Sequence, residues 1–412
     1  MTQAYFPLKS ITPGLNVQRL EHFFALEKEL VRVQGARIPD LEAWLLKQKI
    51  GYYLYADARH AQALRARRRE LQAGSREFPP LQADLQNALE QVLFAPGDFQ
   101  FCCALYLGFK PLLVQAYRQH LEESTTYSDH PSNQVSAELI ADEERQIAWI
   151  DGALALMPGV SPESKRAGRE WIEKIQTWVQ AAGGMLGDQQ KSPQALPERR
   201  GYQVTRKARR EPRQKATFVF EAPPESEDEL KRVLLTQFTA YFREMAAAET
   251  MAAFLWEAPQ NMPWEFFMDS ARHFWDEIRH CQAGQQRLEN LGLDIWEVPV
   301  QTGHYDTRAH MPLLERYAFL TQVQEAESFK IKRQNETLFR EAGDAVSADM
   351  VAYDMADERN HVRYGVKWIP ELQKVLGDRR SLEELVADAR RLQADLWKRL
   401  SGGSQSHPDG QY

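Results

Sequence analysis

Cysteine is scarce: Cys102, Cys103 and Cys281 are the only three in 412 residues. So odd and sparse a set excludes a disulfide framework and fits a reducing cytoplasm. With no Cys-x-x-Cys pair, a rubredoxin-type iron site is excluded as well. No uninterrupted apolar run reaches the roughly 18 residues that a membrane-spanning helix needs, so no membrane role is expected. Met1–Pro13 lacks the basic start and apolar core of a secretory leader. Strand signals are few. Excess basic charge is missing too: 51 Lys and Arg against 58 Asp and Glu leave a formal net charge of −7. That balance argues against a dedicated nucleic-acid binder. What remains, 43% hydrophobic and 26% charged residues, is globular composition. The length allows two or three domains, or one large helical body.

Helical apolar spacing dominates. It predicts helices near 17–36, 40–73, 81–94, 99–124, 134–157 and 162–182, then near 226–257, 262–292, 309–342, 345–376 and 380–400. The expected fold is all-α, with a helical half over 1–182 and a second over 226–400. Between them, 183–225 carries Gly-Gly, several prolines and a basic stretch from Arg199 to Lys215. This reads as a basic linker, or as an excursion in which 202–205 and 216–220 pair as a hairpin. The tail, 401–412, has the Gly/Ser/Gln composition of an unstructured segment.

Two Glu-x-x-His segments stand out, Asp276-Glu277-Ile278-Arg279-His280 and Asp357-Glu358-Arg359-Asn360-His361. Residues three apart share a helix face, so each segment aims a carboxylate and an imidazole at one point. Glu249 precedes Glu277 by 28 positions and Glu325 precedes Glu358 by 33, room for a helical arm and a return. Four carboxylates and two histidines so disposed are the ligand set of a di-iron or di-manganese site in a four-helix bundle. The bland alternative is that these acids lie on solvated faces, in pairs worth a few tenths of a kcal/mol. The flanks favour the metal: Glu249 sits in the apolar run Met245–Trp256, where an unpaired carboxylate is costly to bury. Asp276 and Asp357 have the right place to orient the histidine of the facing helix, with Arg279 neutralising them. On the third helix Glu325 and Glu327 compete, and Glu325 is preferred. On the first, Glu244 competes with Glu249, which is preferred because Glu29 matches it in the first half.

That match belongs to a longer one. Shifted by 220 positions, Glu29, Asp57 and His60 fall on Glu249, Glu277 and His280; shifted by 215, Asp142, Glu143 and Gln146 fall on Asp357, Glu358 and His361. The pattern implies a duplicated four-helix unit whose first copy has lost a histidine and has no acid opposite Glu325.

These residues resemble the signature of the ferritin-like di-iron carboxylate superfamily. Glu325-Ala326, Ala342-Gly343-Asp344 and Asp357-Glu358 to His361 with Gly365 are most similar to a bacterial ferritin-like group related to the tRNA hydroxylase MiaE. The resemblance covers about 226–376. It implies that Glu249, Glu277, His280, Glu325, Glu358 and His361 are both metal ligands and catalytic centre, holding two iron ions or a Mn/Fe pair with O2 as co-substrate. The expected protein is a cytoplasmic non-haem di-iron oxygenase or oxidase acting on a small organic substrate. A reductase or ferredoxin would serve as electron donor, and the chain would work alone or as a homodimer. The rivals are a ferritin-like ferroxidase or peroxidase, a tRNA-modifying hydroxylase supported only by the basic linker, and a metal-free helical scaffold.

Overall fold

The apolar-periodic stretches become helices with ends set by local capping. The structure, a computed structural model, describes residues 10–71, 78–219, 221 and 226–401. Its helices are α1 Pro13–Arg37, α2 Trp44–Glu70, α3 Ala83–Glu90, α4 Gly97–Cys102, α5 Lys110–Glu123, α6 His130–Ala155, α7 Pro162–Ala181, α8 Glu229–Phe242, α9 Met245–Glu257, α10 Trp264–Asn290, α11 Gly303–Arg308, α12 Leu313–Phe319, α13 Glu325–Glu341, α14 Ala345–Leu376 and α15 Leu382–Leu400. Asp344 caps α14 by accepting from the Ser347 N–H, and Ser381 and Glu384 form a reciprocal capping box at α15. Each such cap stabilises its helix by about 1 kcal/mol. Among the described residues the protein is all-α apart from one two-residue pairing.

Two connections are π-helical: Cys103–Phe109 joins α4 to α5, and Leu320–Gln324 joins α12 to α13. One expected helix is broken. The span expected over 226–257 ends at Phe242 and restarts at Met245, with Arg243 and Glu244 at the joint. There Arg243 donates to the backbone carbonyls of Pro299 and Glu221.

The chain divides into two compact units, Met1–Val33 with Ala56–Tyr202, and Gln34–Tyr55 with Gln203–Tyr412. The sequence-based boundary at 182/183 therefore moves to 202/203, and Gln34–Tyr55 joins the second unit. In the first unit α5 packs on α6, and the π turn Cys103–Phe109 packs on α7. One helical stretch there, Gly97–Glu123, has the length and composition to cross a membrane, yet 67% of its most apolar window is buried inside the protein.

In the second unit α10 lies against α8, α9 and α14, and α14 lies against α13. Two glycines permit these approaches. A Cβ at Gly284 would strike the Phe242 and Phe238 backbone of α8; one at Gly365 would strike Thr321 and Gln322 in the π turn. Gln322 donates to the Val362 carbonyl at 3.0 Å, tying the turn to α14. The expected 202–205/216–220 hairpin does not form. β1, Ala216–Thr217, pairs in parallel with β2, Val300–Gln301. The segment after Thr205 instead runs to α11 and to the 34–55 segment, where the Ala208 N–H donates to Asp306 and the Arg209 N–H to the Pro39 carbonyl. Phe220, the last residue of that hairpin, lies outside the described residues, as does the tail beyond Ser401.

Candidate metal centre

α10 and α14 each carry an acid or imidazole at three positions of one face, spaced four and three residues apart. On α10 these are His273, Glu277 and His280; on α14 they are Asp354, Glu358 and His361. All six side chains are buried. Packing α10 against α14 brings the two rows together, and α13 and the start of α9 complete two groups. The first is His273, Glu277, Glu325 and His361; the second is Glu244, His280, Asp354 and Glu358. Within each group the donor atoms lie within 4.8 Å of one another, close enough to share one ion.

In the first group His273 Nε2 and His361 Nδ1 each lie 3.3 Å from Glu277 Oε1. His273 Nε2 is 2.7 Å from Glu325 Oε1, and His361 Nδ1 is 3.4 Å from Glu358 Oε2. The two imidazoles stack with ring centroids 3.7 Å apart. In the second group His280 Nδ1 lies 3.1 Å from Glu244 Oε2 and 3.3 Å from Asp354 Oδ1. Glu358 joins the groups, with Oε2 toward His361 and Oε1 toward the Lys332 ammonium at 2.7 Å.

The two aspartates reach the histidines of the facing helices, as their positions predict. His361 Nε2 faces Asp276 Oδ2 and His280 Nε2 faces Asp357 Oδ2, each at 3.4 Å and each from the opposite helix. Both Nδ1 atoms are thereby turned inward. Arg279 pairs with Asp276 and, at 2.6 Å, with Asp357; Arg272 reaches the same two acids at 2.8 and 3.4 Å. These half-exposed guanidiniums neutralise the outer layer.

Inside, the polar atoms are not satisfied. Glu277 Oε1, both Glu325 carboxylate oxygens, Glu358 Oε2, Glu244 Oε2, His273 Nε2, His280 Nδ1 and His361 Nδ1 are buried without completing a hydrogen bond. Buried carboxylates in that condition cost several kcal/mol unless a cation meets them. Imidazoles face them here. Burial opposes the His361 imidazolium, but Asp276, Glu277, Glu358 and Glu325 hold its pKa well above the ordinary histidine value. The same contest, with Asp354 and Glu244 winning, raises His280. Burial pushes Glu244 up to about 8, against the pull of His280 and Lys332. Burial would also raise Glu277, yet the His273 and His361 imidazoles beside it bring it down to about 2. A site that stores protons on its donors releases them when a metal ion binds. Carboxylates with imidazole suit iron or manganese. The Cys281 thiol points away, to the Phe242 carbonyl at 3.2 Å.

Of the six residues expected as ligands, Glu277, His280, Glu325, Glu358 and His361 converge. Glu249 does not. Its carboxylate is bound by Lys47 Nζ at 2.6 Å and by both terminal nitrogens of Arg210, one at 2.7 Å. Burial without a metal is achieved by two cations from the 34–55 and 203–215 segments. Glu244 takes the place assigned to Glu249. Glu327, the rejected alternative to Glu325, is exposed and pairs with Arg390. His273, Asp354 and Lys332 were not singled out from sequence. The signal for the first two was present, since each lies four residues before a glutamate expected as a ligand, on the same face.

The first unit has a third group, Glu27, Asp57, His60 and Glu143. His60 Nε2 meets Asp142 Oδ2 at 3.0 Å, as His280 meets Asp357. At its centre, though, is the fully buried Lys110 ammonium. It donates to both oxygens of Asp57, at 3.0 and 2.9 Å, and to both of Glu143, at 2.9 and 2.8 Å. Gln146 donates to Asp57 at 3.0 Å.

Compared with known families, residues 168–399 match the family described as Protein of unknown function (DUF455). That is more than half of the chain. The chain belongs to this family. The match takes in every residue of both groups in the second unit and leaves α1 to α6 outside it. No curated protein and no solved structure matches the chain.

Proposed function

We propose that the protein is a metal-dependent oxidoreductase, a non-haem iron or manganese oxygenase or oxidase acting on a small organic substrate. Its second unit is read as a ferritin-like four-helix bundle (α8–α9, α10, the π turn with α13, and α14), and its first unit as a degenerate copy. One observation carries the reading: buried carboxylates and imidazoles from four helices aim unsatisfied atoms at two adjoining points, with Glu358 between them. The duplication is supported by matched features in both units, a π turn before the third helix and a histidine held by an aspartate of the facing helix.

Iron or manganese bound there would supply redox electrons and open coordination positions for O2. The protein's own groups have separable tasks. Asp276 and Asp357 hold the imidazoles with Nδ1 inward; Arg272 and Arg279 balance those aspartates. Tyr241 donates to Asp354 at 2.8 Å and fixes it. Met245, Phe254 and Phe274 are buried in the same unit and add to its apolar interior. A monooxygenase needs two electrons from outside per turnover, hence a reductase or ferredoxin; an oxidase takes its electrons from its substrate.

Metal analysis of protein expressed with iron or manganese, followed by O2 consumption under reduction, tests this. Glu325→Ala should lose the ion of the first position and the O2 uptake. Glu327→Ala should keep both, because that side chain lies in solvent against Arg390. Undiminished metal after both Glu325→Ala and His361→Ala would refute the assignment.

A further inference from the structure

The two groups of the second unit are not equivalent, and a lysine makes the difference. Lys332, on α13, is buried. Its Nζ lies 3.0 Å from Asp354 Oδ1, 2.7 Å from Asp354 Oδ2, 2.7 Å from Glu358 Oε1 and 4.0 Å from Glu244 Oε1. These are the carboxylates of the second group, and its fourth member, His280, is 3.3 Å from the same Asp354. No ammonium reaches the first group, whose carboxylates Glu277 and Glu325 meet only histidines among the described residues. The orphaned oxygens divide accordingly. Glu358 Oε2, facing the first group, has no hydrogen bond, whereas Oε1, facing the second, is bound by Lys332.

The first unit shows the device carried further. Lys110 stands 215 positions before Glu325, at the place where the second unit has that ligand. Its ammonium binds Asp57 and Glu143, the counterparts of Glu277 and Glu358. An ammonium and a divalent ion compete for the same carboxylates, and a cation seated 2.7 Å from Asp354 and Glu358 repels a second cation brought to that position.

We infer that the centre loads asymmetrically: one divalent ion binds at His273, Glu277, Glu325 and His361 with Glu358, while the Lys332 ammonium is the resident cation of the second position. A second ion enters at Glu244, His280, Asp354 and Glu358 only by displacing Lys332 from Asp354 and Glu358. The inference rests on the metal reading above and sharpens it from a pair of like sites to one strong and one conditional site.

The test is a titration of the chelator-stripped full chain with Mn(II), and separately Co(II), followed by equilibrium dialysis and metal analysis. The wild type should bind one ion tightly and a second weakly. In Lys332→Met the second ion should bind at least about tenfold tighter, the scale on which groups bonded to metal ligands affect affinity, giving two ions per chain. Lys332→Arg keeps the cation and should keep the one-ion stoichiometry. Glu244→Gln should leave the tight ion in place and weaken only the second. Two ions of equal affinity in the wild type would overturn the inference without any variant, and so would an unchanged second affinity in a folded Lys332→Met protein. The metal reading would survive either result. Absence of ion binding in wild type and variants alike would overturn both.

Discussion

Replacing Lys110 with methionine isolates the energetics of an ammonium buried among carboxylates. The side chain is 0% exposed, as are those of Asp57 and Glu143, and it makes four hydrogen bonds of 2.8–3.0 Å to them. Removing one partner of such a set leaves uncompensated buried charge and costs about 3–5 kcal/mol. At about 2–4 °C per kcal/mol for a unit of this size, the melting temperature should fall by roughly 10 °C. The penalty should depend on pH. Burial, opposed by Lys110, already places the Asp57 pKa at about 7. Without the ammonium the folded carboxyls hold their protons more firmly than the unfolded ones, which titrate near 4. A folded pKa above the unfolded one gives stability that is lost as pH rises, so Lys110→Met should be less stable at pH 8 than at pH 5. Lys110→Met with Asp57→Asn and Glu143→Gln removes the charges as well and should recover at least about 2 kcal/mol. Calorimetry and urea unfolding of the three proteins decide the matter. A loss under about 1 kcal/mol for Lys110→Met, or a triple variant no better than the single, would refute the reasoning.

Two further outcomes follow from the structure. Glu249→Gln strips the buried Lys47 and Arg210 of their carboxylate, so stability should drop by about 3 kcal/mol while metal content stays the same; metal loss at unchanged stability would restore Glu249 as a ligand. His120 is buried with neither ring nitrogen hydrogen-bonded, and burial, helped by Arg19, pushes its pKa down to about 4. A folded value below the unfolded one of about 6.5 means stability is present above pH 6.5 and falls by up to about 3 kcal/mol as pH drops toward 4. His120→Leu should flatten that part of the urea-midpoint profile, and an unchanged slope would sink the assignment.

The helical character, the α14 boundaries 345–376 and five of the eight converging residues were legible because they depend on spacing along one helix. Residues three, four and seven apart share a face whatever the helix packs against. Asp276 and Asp357 followed from the same rule, since a residue adjacent to a ligand points toward the neighbouring helix. The unit boundary was not legible, because Gln34–Tyr55 is helical in pattern wherever it packs.

Glu244 and Glu249 show where spacing stops. Both are acids on one predicted helix, and the local signals, an apolar run and a matching Glu29, favour Glu249. The break at Arg243 and the arrival of Lys47 and Arg210 reverse that choice: the Glu249 carboxylate is buried against two cations, while the half-buried Glu244 lies against His280. Lys332 and Lys110 make the same point, because a lysine in a helical pattern reads as a solvated face. The sequence by itself determined an all-α chain with acid and imidazole rows on two helix faces, since helix periodicity is a property of a segment. Only the tertiary structure decided which buried acids face a lysine and which are left without a cation, because charge compensation is settled between segments far apart in the chain.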